Sequence, residues 1–189
     1  MSAGAPLWRS PRGIAPGRLA AARLQAHHAA QWLARAARAH IMAWPDDGHT
    51  NLGWDGAFGG FITHPHPDGA RLGLRIGDLT LVLLGAGGSD PLDALGLGGR
   101  RDPDARAWLA RTAQKRGLDP RALDTPLSYA LPARPTETYA VDTEALVELT
   151  TWFANADAAL RAIREQIIAH GPRPGRCDAG RIISISTRW

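Results

Sequence analysis

The amino-acid sequence predicts an α+β fold, with an antiparallel sheet of four or five strands and two long helices packed on one face. Two long segments, one near each end of the chain, repeat apolar residues at the three- and four-residue spacing of an amphipathic helix. Between them lie short β-rich segments separated by turn sequences. With 189 residues, 44% of them hydrophobic and 21% charged, the chain has the size and composition of one globular domain.

The domain is expected to span residues 17–176, between a loose leader at 1–16 and a tail at 177–189. The leader lacks the continuous apolar run of a signal peptide, and no stretch approaches the roughly 18 apolar residues of a membrane span. Cys177 is the single cysteine, which excludes an internal disulfide and suits a reducing cytoplasm. We therefore expect a cytoplasmic protein that does not enter a membrane.

The first long helix is predicted over Gly17–Ile41, where alanine dominates the apolar stripe and allows close approach to a sheet. Pro45 ends it, because proline disfavours helical geometry in the residue before it. Three strands follow, and turn sequences join them into an antiparallel meander. They are Ala57–His64, Ala70–Ile76 and Leu79–Leu84.

The second half of the chain is predicted to be mainly helical. A flexible glycine-rich stretch over Gly85–Gly99 precedes a short helix from Asp102 to about Arg116, and Leu127–Leu131 is predicted as a short strand. A long helix then begins at Asp142 or Thr143 and ends before Gly171. Its core stripe is Leu146, Leu149, Phe153, Ala156, Leu160, Ile163 and Ile167.

One loop concentrates side chains that can carry chemistry. Asp46, Asp47 and His49 bring two carboxylates and an imidazole within four residues, which suits proton transfer or a divalent metal. Asp47, His49 and His64 are the candidate metal ligands. The competing interpretation is that Asp and Asn occupy loops because their side chains bond to the nearby backbone.

Ligand-binding candidates extend from this loop to the last helix: Asn51, Trp54, Asp55, Asn155 and Asp157. On the first helix, His27 and Gln31 could line a cleft, although one buried and one exposed histidine in the adjacent pair His27 and His28 is the simpler interpretation. The Gly85–Gly88 run lacks the Gly-Lys-Ser/Thr of a phosphate-binding loop, so no nucleotide site is expected there, and the sequence leaves the cofactor unknown.

Net charge does not indicate a nucleic-acid partner. The chain carries a formal charge of +4, but its arginines are dispersed and interleaved with carboxylates. Basic runs with stacking aromatics, which single-strand binders use, are absent from the sequence. The sequence therefore argues against specific nucleic-acid binding.

Two strings carry a resemblance to a known family. The loop from Asp46 to Asp55 reads Asp-Asp-Gly-His-Thr-Asn-Leu-Gly-Trp-Asp. Plausible codons for Cys177 to Ser186, read from the third base, spell Arg-Cys-Trp-Pro-His-His-Phe-Asp-Ile. Both strings resemble a bacterial family, a domain of unknown function, with a similar loop and a closing Cys-Trp-Pro-His-His-Phe-Asp segment. The resemblance implies that a frameshift has replaced this closing segment from Asp178 onward.

The resemblance implies a cytosolic bacterial protein without assigning an activity. From the residues themselves, a small-ligand or protein-binding module is favoured, because no constellation meets a catalytic spacing rule. The alternative is a small metal- or acid–base-dependent enzyme that uses Asp46, Asp47 and His49, impaired in this chain by loss of the histidine pair. The replaced tail still alternates Ile183 and Ile185 with serine and is predicted to pair as an edge strand.

Overall fold

A computed structural model describes residues 8–87, 90–126 and 129–170. Within these ranges the chain forms three helices and one five-stranded sheet. The helices are α1 (Pro16–His40), α2 (Asp102–Lys115) and α3 (Thr143–His170). The strands are β1 (Gly53–Asp55), β2 (Gly60–Ile62), β3 (Arg71–Arg75), β4 (Thr80–Leu84) and β5 (Pro91–Gly96).

The sheet is an antiparallel meander with its strands in chain order, β1-β2-β3-β4-β5. At its centre, Leu74 of β3 pairs with Leu81 of β4, and both side chains are fully buried. Period-two alternation sends these leucines to the same face, because directly opposed residues in a ladder point the same way. The α+β fold class and the antiparallel sheet are confirmed.

The two long helices cover the leucine face of the sheet. The core cluster joins alanines of α1, such as Ala26 and Ala29, to Leu74 and Leu81 of the sheet and to Leu146 of α3. Small side chains on α1 let its backbone lie close to both neighbours, as the alanine-rich stripe predicted. The core therefore lies between one sheet face and the α1–α3 pair.

The sheet differs from the prediction at both edges. The first predicted strand, Ala57–His64, is shortened to Gly60–Ile62, and β1 adds a strand that was not predicted. Gly85–Gly99, expected to be flexible, contains β5, which pairs along β4. This edge strand is mostly exposed, so burial leaves almost no apolar pattern in its sequence.

Two further strands were predicted, one near residue 129 and one in the C-terminal tail. Leu127–Leu131 was predicted as a strand, but its described part, Tyr129–Leu131, forms no strand. Pro132 and Pro135 follow it and lack backbone N–H groups, so a strand could not extend past Leu131. The predicted strand in the 177–189 tail lies outside the described residues.

Only the first half of α3 packs in the core. Leu146 is fully buried and Phe153 packs on the core cluster, but Leu160, Ile163 and Ile167 are exposed. Ala156 is exposed as well, so the prediction that the whole stripe lies in the core was wrong from Ala156 onward. With 28 residues, α3 is about 42 Å long, so its last turns run past the sheet.

The segment Trp8–Ala15, hereafter the N-terminal segment, belongs to the predicted leader but is bonded to α3. The Arg9 backbone N–H donates to Asn155 Oδ1 at 3.0 Å, and Asn155 Nδ2 donates back to the Arg9 carbonyl at 2.8 Å. The Arg12 N–H donates to Glu148 Oε2 at 2.6 Å. Because Asn155 and Glu148 are both buried, these bonds satisfy polar groups that would otherwise lack partners.

Candidate functional site

A cavity of about 320 Å³ lies between α1, α3 and the first strands of the sheet. We call it the α1–α3 cavity. One wall comes from successive turns of α1, because residues three and four apart share a helix face. The lining residues are Ala20, Arg23, Leu24, Ala26, His27, Ala30, Gln31, Leu52, Phe61, Pro132, Leu149 and Phe153.

An aromatic cluster forms the wall opposite α1. The ring centroids of Phe61 and Phe153 are 4.9 Å apart and the two rings meet edge to face. Trp54 packs behind both, at 5.4 Å from Phe61 and 5.5 Å from Phe153. Such contacts stabilise aromatic pairs beyond their area burial and hold the rings in fixed orientations. The cavity therefore has one side formed by aromatic rings in fixed orientations.

The polar side chains of the cavity are organised around Gln31. Its Oε1 accepts a hydrogen bond from the Tyr129 hydroxyl, and its Nε2 donates to His27 Nε2 at 3.3 Å. The pKa of His27 is lowered, chiefly by burial and further by the neighbouring His28 and Arg23. A lowered pKa keeps the imidazole neutral at pH 7, so its Nε2 can accept the glutamine bond.

This arrangement suits binding more than catalysis. Most of the lining is aliphatic or aromatic, with Gln31 and His27 as convergent polar groups and Arg23 on the exposed side of α1. Small-molecule sites typically combine an apolar lining with a few placed polar groups. The lining residues include no serine, cysteine or threonine that His27 could activate as a nucleophile.

Two carboxylates of the candidate loop, those of Asp46 and Asp55, bond to the backbone around them. Asp46 Oδ1 accepts from the Gly48 N–H at 3.0 Å, and Asp47 occupies the left-handed region at φ 56°. Asp55 Oδ1 accepts from the backbone N–H groups of residues 57 and 58 in the β1–β2 turn. These are the local side-chain bonds for which Asp is favoured in turns.

Trp44 contacts both histidines that were proposed as metal ligands, His49 through its backbone and His64 through its ring. His49 is buried and its Nδ1 accepts from the Trp44 backbone N–H at 3.3 Å. The Trp44 ring lies 4.8 Å from the ring of His64, whose pKa is lowered by burial and by Arg71. Asp47 is exposed on the loop. Among the described residues, no three His, Cys, Asp or Glu side chains come together to hold a metal ion.

The ligand-binding candidates are dispersed over the fold. Asn51 closes the loop turn through its backbone N–H, which donates to the Gly48 carbonyl. Asp157 forms an ion pair with Arg161 one turn along α3, at 2.8 Å. Asn155 is buried and bonds to the backbone of Arg9 in the N-terminal segment. Of these candidates, Trp54 comes nearest the cavity, behind its aromatic wall.

Some residues at the cavity are related by a spacing that is visible in the sequence, and others are not. His27 and Gln31 are four apart on one helix, so their shared face is visible in the sequence. Tyr129 and Pro132 lie near the same part of α1 but come from a loop about a hundred residues away in the sequence. Phe61 comes from strand β2, in which side chains alternate between the two faces. No spacing rule connects these three residues to α1, so no sequence pattern indicates that they lie near it.

Within the described residues, no helix has both the length and the apolar character needed to cross a bilayer. Comparisons with family models, curated proteins and solved structures found no match.

Proposed function

We propose that this protein binds a small, mainly apolar, ring-containing molecule in the α1–α3 cavity. The observation that carries the proposal is the cavity itself: about 320 Å³ bounded by alanines of α1, the Phe61–Phe153 pair and Leu149. Protein interiors are close-packed, so a space of this size is a departure from ordinary core packing. Ligand sites commonly start at about 300 Å³.

The lining indicates the chemistry of the ligand. The edge-to-face rings of Phe61 and Phe153 favour a flat apolar group. Gln31 and the neutral His27 provide hydrogen bonds at the other side of the cavity, which suits a ligand with one hydroxyl or carbonyl group. A ligand hydroxyl or carbonyl that exchanges into the Gln31–His27 hydrogen bond would add the selectivity that apolar contacts lack.

The loop carboxylates support this choice over catalysis at the loop. Asp46 and Asp55 use carboxylate oxygens to bond backbone N–H groups in turns. The buried imidazole of His49 accepts a backbone bond at Nδ1. Groups committed in this way have fewer lone pairs left for a substrate or metal.

Titration with 2-naphthol tests the proposal, because it is a flat ring system with one hydroxyl group. We expect saturable binding by the full chain in isothermal titration calorimetry. Ala30→Trp fills the cavity and should weaken binding at least tenfold. Ala21→Trp places the same indole on an exposed position of α1 outside the lining and should leave binding unchanged. Equal binding by the Ala30→Trp variant, or no saturable binding to the unmodified chain, would exclude the cavity as this site.

We further propose that nucleic acid is not a partner. Many described arginines are neutralised by carboxylates of the chain, in pairs such as Arg75–Asp78, Arg106–Asp124 and Arg116–Asp68. Nucleic-acid affinity depends on arginines that are available to phosphates, and pairing lowers that availability. Retention on a heparin column only at very low salt would agree with this proposal.

We also propose a bacterial, cytoplasmic origin and a shifted reading frame for the tail. Lys115 is the single lysine among many arginines, a bias typical of GC-rich genomes, and the lone Cys177 suits a reducing compartment. Genomic DNA around codon 178 tests the frame directly. An alternate frame that fails to encode the adjacent histidines would refute it.

A further inference from the structure

The C-terminal half of α3 presents an apolar stripe to solvent. Leu160 is 37% exposed, Ile163 52% and Ile167 64%. These three residues continue the same row as the buried Leu146, beyond the end of the core. Large aliphatic side chains that are exposed in a contiguous row commonly mark an interaction surface.

The spacing of the stripe specifies the kind of partner. From Leu146 onward, the apolar positions alternate steps of three and four residues and continue through Ala156, Leu160, Ile163 and Ile167. This is a heptad repeat with a period of 3.5, which packs best against another helix with the same repeat. The first half of the repeat packs inside the domain. The second half is exposed to solvent within the part of the chain that the structure describes.

Charge at the edge of the stripe fits a second copy in antiparallel orientation. Asp157 and Arg164 occupy equivalent flanking positions, one heptad apart. Asp157 already pairs with Arg161 of its own chain, while Arg164 forms no ion pair within the described residues. An antiparallel copy brings Arg164 beside the partner's Asp157, and symmetry creates this contact twice.

We propose that the protein forms a homodimer through antiparallel pairing of α3 from Ala156 to Ile167. Leu160 packs against the partner's Ile163, and Ala156 against the partner's Ile167, so that small and large side chains meet in successive layers. Antiparallel pairing also places the two domains at opposite ends of the helix pair. This inference is independent of the cavity and its ligand.

Two neighbouring isoleucines provide a matched test of the seam. Ile167 is 64% exposed and lies on the stripe, whereas Ile168 is 65% exposed and lies off it. By sedimentation equilibrium we expect the full chain to approach twice its 20.2 kDa mass as concentration is raised. Ile167→Glu should weaken the dimer at least tenfold, because it buries a charge in the seam. Ile168→Glu should leave the dimer unchanged.

Spin labels test the orientation. In a Cys177→Ser background, a label at Ala162 lies almost level with its counterpart, so the two should give a short distance. Labels at Ala169 should be separated by about 22 Å along the helix axis in the antiparallel pair. Short distances at both positions would indicate parallel pairing and overturn the proposal.

Other occupants of the stripe give different results. If residues 171–189 of the same chain cover it, the chain stays monomeric at every concentration, and Ile167→Glu lowers the free energy of unfolding instead of the mass. If a different protein covers it, the purified chain is monomeric and Ile167→Glu changes neither mass nor stability. Either result overturns the homodimer.

Discussion

Asn155 shows how one buried polar side chain can hold a terminal segment. It is 2% exposed, and both of its hydrogen bonds go to the backbone of Arg9. Together with Glu148, which accepts the Arg12 N–H, it fixes the N-terminal segment along the first half of α3. A buried amide that loses its partners costs free energy, so the segment and the helix stabilise each other.

Replacing Asn155 by Ala should release the N-terminal segment. Loss of both bonds leaves the Arg9 backbone groups without partners, and we expect the free energy of unfolding to fall by about 1–3 kcal/mol. Trypsin should then cleave after Arg9 and Arg12 faster than in the unmodified chain. Asp157→Ala, on the same helix, removes a pair whose arginine is well exposed and should cost less than about 0.5 kcal/mol. Equal effects of the two changes would contradict this account.

For individual residues, the sequence predicted which side chains form bonds better than it predicted where they lie in the fold. Asp46 was a catalytic candidate and Asp55 a ligand-binding candidate, each with turn formation as the competing interpretation, and the structure shows turn bonds for both. The sequence indicated His27 and Gln31 through their helical spacing, and both line the cavity. Tyr129 could not be linked to Gln31 because their contact depends on how a distant loop packs.

Among the elements, the β2–β3 pair requires close backbone approach at Gly60. A Cβ on this glycine would lie 2.0 Å from the Leu74 carbonyl oxygen, within the backbone of the neighbouring strand. A Cβ on Gly53, in the adjacent strand β1, would meet nothing within 4 Å. Among the glycines of β1, β2 and β3, only Gly60 would bring a Cβ against backbone atoms of a neighbouring strand, whereas a Cβ on Gly73 would lie 2.7 Å from the Phe58 ring.

Gly60→Ala should destabilise the sheet because the backbone of β2 or β3 must move to admit the methyl group. We expect a loss of about 1–3 kcal/mol in the free energy of unfolding, measured by urea denaturation. Gly53→Ala provides the matched control and should change stability by less than about 0.5 kcal/mol. A neutral Gly60→Ala variant would show that the two strands are less tightly apposed than described.

Elements were predictable where burial left a pattern. The helices α1, α2 and α3 were all predicted within a few residues of their observed ends, since their caps and apolar periods are written in the sequence. β5 was missed because its backbone pairs with β4 while most of its side chains face solvent. Backbone hydrogen bonding alone leaves no compositional trace of that kind.

At the scale of the whole molecule, buried histidines should make the fold acid-sensitive. His66 is 3% exposed, neither of its ring nitrogens has a partner among the described residues, and burial with nearby Arg116 lowers its pKa to about 4. An unfolded histidine titrates near 6.5. Between these values the unfolded chain binds a proton that the folded chain does not, so stability falls as the pH falls.

The measurement is the free energy of unfolding at pH 7.5 and pH 4.5. His66→Leu should reduce the acid-induced loss by on the order of 2 kcal/mol. The variant should keep part of the loss, because burial also lowers the pKa of His27, His28 and His64. Asp68, whose pKa is lowered to about 2 by Arg116, loses its contribution only below about pH 4 and does not interfere. An unchanged pH dependence in His66→Leu would exclude this histidine as the source.

The fold class was predictable because two helical periods bracket a strand-rich middle, and such an order has few packed solutions. The cavity was not, since it depends on how far α1 stands from Phe61 and Phe153. Small residues of α1 indicate close approach, but they equally permit a gap where facing side chains do not interdigitate. The empty volume between two packed elements depends on how the layers assemble and not on the sequence of either element alone.

The strand order makes β1 and β5 the two edge strands of the sheet. β1 has three residues, while β5 begins at Pro91, which has no N–H, and its pairing shifts register near Leu84. Long, regular edge strands can pair with strands of other molecules and form fibrils, but these two edge strands are short or irregular. Concentrated solutions of this protein should therefore stay free of amyloid-type aggregates.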